Sequence, residues 1–252
     1  MPHPLTLLFD PVTLIVVALY FALMLWETWF PAQQLPNVSW WKLKGGIAFA
    51  LYFFLSAYLP LITDPYLAAF RLIDLSSLGN LGGAIVGTLI YELGVYIGHR
   101  CLHEVNFLWR IFHQMHHSAK RMDTFGAFFF RPLDRIGFTL LGSFSLSWFI
   151  GITPQAITIV LLLTAFLTIF QHANIHTPHW LGFFIQRPES HAFHHAKDIH
   201  KYNYSDLPFF DIFFDTFYNP KNYEHNTGFY PGTSDRVVEI LLFKDISQQE
   251  IS

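Results

Sequence analysis

HRCLHEVNFLWRIFHQMHH, residues 99–117, places five histidines in nineteen positions. An α-helix turns about 100° per residue, so positions i, i+3 and i+4 share one face. His99 and His103 therefore point the same way, and so do His113, His116 and His117. The design recurs further on as His172 and His176, followed by His191, His194 and His195. On a strand His191 and His194 would face opposite sides, so the grouping reads as helical. One straight helix cannot serve the first two clusters, because His103 and His113 would lie about 15 Å apart along its axis. A bend is therefore expected within residues 104–112, with Asn106 the natural place. Pro178 and Pro188 interrupt the stretch between the later clusters. Two helix-borne half-sites, each just past an apolar segment, can then face each other.

Ten of the chain's fourteen histidines fall in these clusters. Packed together without a metal they would leave many ring nitrogens unsatisfied, each at a cost of about 1–3 kcal/mol. Neutral imidazole is a common ligand of zinc, copper, iron and nickel. Ten nitrogens suit two metals at about five each, with room left for dioxygen or a substrate. The glutamate of the zinc-protease HExxH pattern is missing, and structural zinc favours cysteine, of which the chain has only Cys101. Two redox metals beside a membrane point to oxygen activation against a lipid C–H bond. Counting ligands leaves iron, copper and manganese open. Two other classes fit a histidine-rich membrane chain, a non-catalytic metal-binding or transport protein and a zinc hydrolase acting on lipid. Transport favours ligands at mid-span, whereas these histidines lie past the span ends.

Composition supplies the membrane. The chain has 252 residues, 52% hydrophobic and 13% charged, against about a quarter charged in soluble domains. Apolar runs at Val12–Phe30, Gly45–Ile62, Leu78–Gly98, Ile136–Ile152 and Gln155–Phe170 predict an all-α, multi-pass protein of about five spans. The last two spans are short and form a tight hairpin, and the histidines make a helical di-metal cap. No Lys or Arg precedes Lys42, and Trp26-Glu27-Thr28-Trp29 is a poor cleavage site, so the first run is expected to be a retained span rather than a signal peptide. Lys42, Lys44, Arg100, Arg110, Lys120, Arg121, Arg131 and Arg135 fall on the histidine side, as do the six later basic residues, while Arg71 stands on the other. By the positive-inside rule the metal site faces the cytosol. A net charge of −3 without a basic patch gives no surface for nucleic acid. Lone Cys101 is consistent with a reducing compartment.

YIGHRCLHEVNFLWRIFHQMHHSAKRMD (96–123) and FQHANIHTPHWLGFFIQRPESHAFHHAKDIHKYNYSDLPFFDIFFDTFYNP (170–220) resemble the fatty acid hydroxylase / sterol desaturase superfamily of membrane di-iron oxygenases. The resemblance implies two iron ions, dioxygen as co-substrate, a lipid substrate such as a fatty acyl, sterol or other isoprenoid, and a separate electron-donor protein. It implies hydroxylation, with desaturation as the alternative outcome of the same centre. Zinc can replace iron in purified protein, since nitrogen-rich sites hold it more tightly. His99, His103, His113, His116, His117, His172, His191, His194 and His195 fall on the family's ligand positions. His176 completes an HxxxH pattern, with His179, His200 or a water as alternatives. Relatives read Asn-Tyr-Gly and Phe-Gly-Thr where this chain has Asn203-Tyr204-Ser205 and Phe214-Asp215-Thr216, so two local turns are expected to differ. Ligating histidines donate their other ring N–H to a carboxylate or carbonyl. Glu92, Asp123, Asn174, Asn203, Asp206 and Asp211 are the candidates for supporting the site, and Glu27 is expected at the membrane interface. The chain divides into N-terminal helices and linker (1–77), a catalytic domain (78–220) and a tail (221–252). In the tail, Val237–Phe243 reads as a packing helix or surface segment.

Overall fold

The computed structural model describes residues 1–248; the end of the tail, 249–252, lies outside the described residues. Helices α1 (Pro4–Leu8), α2 (Pro11–Trp29), α3 (Trp41–Ala69) and α4 (Gly79–Glu104) lead into α5 (Asn106–Leu108) and α6 (Gln114–His117). Then follow α7 (Pro132–Ser143), α8 (Pro154–His172), α9 (Pro188–His194), α10 (Phe209–Phe213) and α11 (Val237–Leu241). Among the described residues the only β pairing is an isolated bridge between Ala196 and Thr227.

Four helical segments are long and apolar enough to cross a membrane: Pro11–Trp29, Trp41–Ala69, Ser76–Glu104 and Pro154–His172. That is one fewer than the sequence reading. The expected span at 136–152 is helical from Pro132, but it passes at Phe144 from α7 into a π-helical stretch, Phe144–Phe149, and stops there. Its serines and threonine, Thr139, Ser143, Ser145 and Ser147, are buried against protein, which lowers its apolar character. It still reaches the far end of the bundle, where Leu72 N–H donates to Trp148 O at 2.8 Å and Ile73 N–H to Phe149 O at 3.0 Å. Gly151, at φ +43, makes the hairpin, and Thr153 caps α8 through Ala156 N–H. A side chain at Gly151 would meet Arg71 and the Ile73 carbonyl.

Burial separates inner from outer helices. Only 17% and 11% of the first two spans are buried, against 44% of α4 and of α8. The two inner helices pack along each other, while α3 packs along α7. Contact between α4 and the α7–α8 hairpin is close, and a Cβ on Gly87 would lie 2.7 Å from Ile152 Cδ1. Tyr20, Leu23, Phe128, Ile169 and Phe170 fill the space between α2 and α8. Beyond the histidine end, Trp41, Trp109, Met115, Phe129 and Phe229 form a separate core that Ile240 of α11 and Ile246 complete. The tail segment at 237–243 is thus a packing helix.

Two breaks carry the histidines out of the bundle. Val105 is extended (φ −102, ψ 104), ending α4 one residue before the Asn106 expected from sequence. The chain then winds back through α5 and a π turn, Trp109–His113, into α6. Such an added residue per turn is a frequent device at functional sites, because it re-aims the side chains that follow. At the other inner helix, Ala173 (φ −68, ψ 141) ends α8 directly after His172.

Candidate metal centre

Nine histidines converge in two groups. His99, His103, His113, His117 and His194 form the first, and His116, His172, His191 and His195 the second. Within each group one nitrogen per ring lies within 4.8 Å of all the others. Both halves of the chain serve both groups. HQMHH gives its i, i+4 pair, His113 and His117, to the first and His116 to the second. HAFHH does the reverse, giving His191 and His195 to the second and His194 to the first. Two short helices with the same three-residue pattern therefore interlock across the centre.

His176, expected with this set, is not part of it. Its side chain is 64% exposed, and its Nδ1 lies 3.8 Å from Glu189 Oε1. The HxxxH spacing shares a face only while a helix continues, and α8 has ended at His172. His179 is also exposed, with Nε2 facing Asn219 O at 3.1 Å. His200 does approach the centre: its Nδ1 lies 3.0 Å from His117 Nδ1.

The hydrogen-bond pattern fixes which nitrogen faces inward. His99 Nδ1 lies 2.7 Å from Tyr204 O, His103 Nδ1 2.7 Å from His200 O, and His194 Nδ1 2.6 Å from Tyr202 O. Carbonyls only accept, so these Nδ1 atoms carry the proton and donate it. Alternate carbonyls of one loop, 200, 202 and 204, thus orient three rings of the first group. Positive φ at Asp198, His200, Tyr202 and Asn203 gives the loop its course. His172 Nδ1 donates to Thr168 O at 2.6 Å, and His113 Nδ1 meets Asp134 Oδ2 at 3.0 Å.

With Nδ1 protonated, the Nε2 atoms of His99, His103, His113, His172 and His194 are left as lone pairs. Yet His99 and His113 Nε2 stand 2.9 Å apart, and His103 Nε2 is 3.3 Å from His99 Nε2. In the second group His172 Nε2 lies 3.0 Å from His116 Nε2 and 3.1 Å from His191 Nε2. Facing lone pairs repel unless a cation lies between them. Several other buried ring nitrogens, those of His117 Nε2, His194 Nε2 and both of His195 among them, have no hydrogen-bond partner. Burial, reinforced by the neighbouring imidazoles, holds His113, His116, His117, His191 and His195 well below the usual histidine range. The rings are accordingly neutral and ready to ligate. This donor set fits two metal ions that accept nitrogen ligands.

The polar residues singled out from sequence act mostly one step further away. Glu92 Oε2 accepts Asp206 N–H at 2.9 Å and Leu207 N–H at 3.1 Å. Asp211 accepts from Tyr204 N–H at 2.8 Å and from Ser205 N–H at 2.9 Å, and Thr216 Oγ1 donates to it at 2.8 Å. Asn203 ties the same loop to Ser190 O and Tyr218 O. Asp206 accepts from Gln171 Nε2 at 2.8 Å, and burial pushes its carboxyl up to about 6. All four fix the loop whose carbonyls aim the rings. Asp123 and Asn174 serve other ends. Asp123 binds Trp41 Nε1 and caps the turn at Gly126, while Asn174 pairs with the backbone of Gln33.

Two residues escaped the sequence reading. Asp134, in the first turn of α7, is the carboxylate that meets a clustered ring directly. Its only signal was a lone acid between Arg131 and Arg135 beside an apolar run. Glu27, expected at the membrane interface, sits near the end of α2, but its role was missed: it is buried, and its Oε2 accepts Thr124 N–H, Thr124 Oγ1 and Asn174 N–H at 2.9, 2.8 and 3.0 Å.

Comparison with known proteins matches this geometry. The family model for fatty acid hydroxylase covers residues 84–216, just over half of the chain. Ornithine lipid hydroxylase OlsE of Rhizobium tropici is 30% identical over 140 residues, 54% of this chain and 42% of that protein. Very-long-chain aldehyde decarbonylase GL1-9 of Oryza sativa subsp. indica is 28% identical over 131 residues, 51% of this chain and 50% of that protein. Sphinganine C4-monooxygenase 2 of Arabidopsis thaliana is 27% identical over 132 residues, 50% of this chain and 49% of that protein. The chain thus spans half or less of the length of these relatives. No solved structure matches it. Histidines paired across two half-sites at the end of an apolar helical bundle, together with this match, place the chain in the fatty acid hydroxylase family.

Proposed function

We propose that the chain is a membrane-bound di-iron monooxygenase that uses dioxygen to hydroxylate a C–H bond of a lipid. The observation that carries this reading is the pair of buried nitrogen groups, five and four rings, whose lone pairs face each other at one end of an apolar bundle. His99, His103, His113, His117 and His194 would hold one iron, and His116, His172, His191 and His195 the other. Bound iron supplies the redox chemistry by which dioxygen is reduced and a C–H bond oxidised.

The chain's own residues do the positioning. Carbonyls of His200, Tyr202 and Tyr204 fix three rings in one tautomer, and Asp134 fixes His113. Glu92, Asp211 and Asn203 keep that carbonyl loop in place. A small cavity against His99, His113, His116, His172 and His191, walled by Phe130 and Phe138, leaves a substrate segment room beside the metals. The chain's one cysteine cannot make an iron–sulfur cluster site, so electrons are assigned to a separate donor protein. The basic residues of the histidine end support a cytosolic orientation of that end.

Hydroxylation is preferred to desaturation because two of the relatives are named for it. A purely metal-binding role leaves the cavity beside the rings without purpose. The test is protein loaded with ferrous iron, supplied with a reductant, native lipid extract and ¹⁸O-labelled dioxygen. A lipid product gaining one labelled oxygen is expected. Iron-loaded protein that consumes no dioxygen under these conditions would refute the reading.

A further inference from the structure

Three cavities lie in succession from the histidines outward, each sharing lining residues with the next. The one against the rings holds about 50 Å³ and reaches Tyr91, Arg135, Phe138 and Thr168. Those four residues also line a chamber of about 130 Å³ that continues down the bundle between α3, α7 and α8. The chamber in turn shares Tyr52, Ser56, Leu161 and Ala165 with an apolar opening of about 140 Å³ between α2, α3 and α8. Cavities with shared walls thus line up from the outer helices to the rings.

Arg135 lines both the cavity against the rings and the chamber. Its Nε donates to Ser56 Oγ at 3.2 Å, and its guanidinium lies 4.1 Å over the Tyr52 ring. Both partners also line the apolar opening. The nearby carboxylates are engaged elsewhere. Asp134 meets His113, Asp206 accepts from Gln171, and Asp64 accepts from Ser147. Among the described residues Arg135 makes no ion pair with any of them, and its terminal nitrogens have no hydrogen-bond partner. This half-buried guanidinium one turn into α7 therefore keeps terminal N–H donors free for a ligand in the chamber it lines. Its planar fork suits carboxylate and phosphate oxygens, which take two parallel hydrogen bonds from it.

We propose that Arg135 binds an oxyanion of the substrate, a carboxylate or a phosphate, in the chamber beside the rings, while the apolar chain leaves between α2, α3 and α8. The chamber is small beside the ~300–1,000 Å³ of ordinary ligand sites, so it takes a head group rather than a whole acyl chain. The C–H bond offered to the metals then lies near the charged end of the lipid. This assignment rests on the lipid-oxygenase reading, but its test requires no turnover.

Octanoate, octyl phosphate and octanol serve as probes of zinc-loaded protein in non-ionic detergent, with binding followed by calorimetry. At least one anion is expected to bind about tenfold or more tighter than octanol, and the tighter of the two tells carboxylate from phosphate. Arg135→Gln should abolish that preference while zinc content stays at the wild-type level. Arg135→Lys, which keeps the charge but not the fork, should retain only part of it and covers the case in which the glutamine variant does not fold. Equal binding of octanol and both anions by the wild type would overturn the assignment. So would an undiminished anion preference in folded Arg135→Gln or, where only the lysine variant folds, in Arg135→Lys. A protein that shows the preference but never consumes dioxygen would break the oxygenase reading and leave Arg135 as an anion site.

Discussion

HRCLH at 99–103 and HANIH at 172–176 have the same spacing, each at the end of an inner helix, yet only the first delivers both of its rings. α4 continues to Glu104, so His99 and His103 stay on one face and enter the same group. α8 ends at His172 because the next residues are claimed by other contacts. Ala173 is extended, Asn174 N–H donates to Glu27 Oε2, and the Asn174 side chain pairs with Gln33. His176 is carried outward and left exposed. Spacing sets a shared face only where the backbone keeps its helical course, and here a carboxylate from a different helix decides that course.

The widest separation between the two motifs is expected from alanine substitution. His103→Ala should lose metal and oxygen-dependent product together, whereas His176→Ala should keep both at wild-type levels. Metal analysis of the purified variants, beside the product assay, makes the comparison. A His176→Ala protein as metal-poor as His103→Ala would erase the distinction.

The clustered rings also differ in how they are held. Most of the oriented rings donate to backbone carbonyls, but His113 leans on the Asp134 carboxylate. Removing such an outer partner typically weakens metal affinity about 10–100-fold. Asp134→Asn is therefore expected to lower affinity by about that factor without loss of fold, read by chelator competition. Unchanged affinity would mean that the contact only packs the ring.

Much of this was legible in the chain. The helical pairing of the histidines and the bend after His103 follow from the 3.6-residue period and the reach of a helix, and apolar runs marked the inner helices. What was not legible depends on long-range contacts. Nothing near Ala173 announces a helix end, because the group that captures Asn174 is 147 residues away. Asp134 drew no attention in the sequence, since its partner His113 lies 21 residues earlier across a loop. The run at 136–152 reads as one continuous span, whereas α7 ends at Ser143 and passes into the π turns of 144–149, a break that the apolar run does not show.

Glu27 offers a direct way to disturb the α8 terminus. Its Oε2 receives three donors from two segments, Thr124 and Asn174. Glu27→Gln keeps the shape but loses the charge that strengthens these bonds, at an expected cost of about 1–3 kcal/mol. Thermal unfolding in detergent reads the loss. Hydrogen exchange should quicken at the Thr124 and Asn174 amides, while those of residues 99–103 stay as slow as before. Equal quickening in both motifs would show that Glu27 stabilises the bundle at large rather than this one terminus.

The smallest effects are expected at Ser205 and Asp215, the two positions where the family resemblance anticipates glycine, and their signs should be opposite. Asp215 sits at φ +59, in the left-handed region that glycine occupies freely, and its side chain is exposed. Asp215→Gly relieves that conformation, worth about 1–2 kcal/mol for an ordinary residue and less for aspartate, against about 0.5–1 kcal/mol of added chain entropy. A gain of a few tenths of a kcal/mol remains. Ser205 is different, because its Oγ donates to Asp211 Oδ2 at 2.7 Å and so helps to hold the carbonyl loop. Ser205→Gly loses this bond and is expected to cost about 1 kcal/mol, with a matching fall in metal retention that Asp215→Gly does not show. Paired unfolding curves and metal titrations distinguish the two. If both glycines stabilise, the serine is not part of the loop's support, and the ring-orienting carbonyls owe their position to Asp211 and the backbone alone.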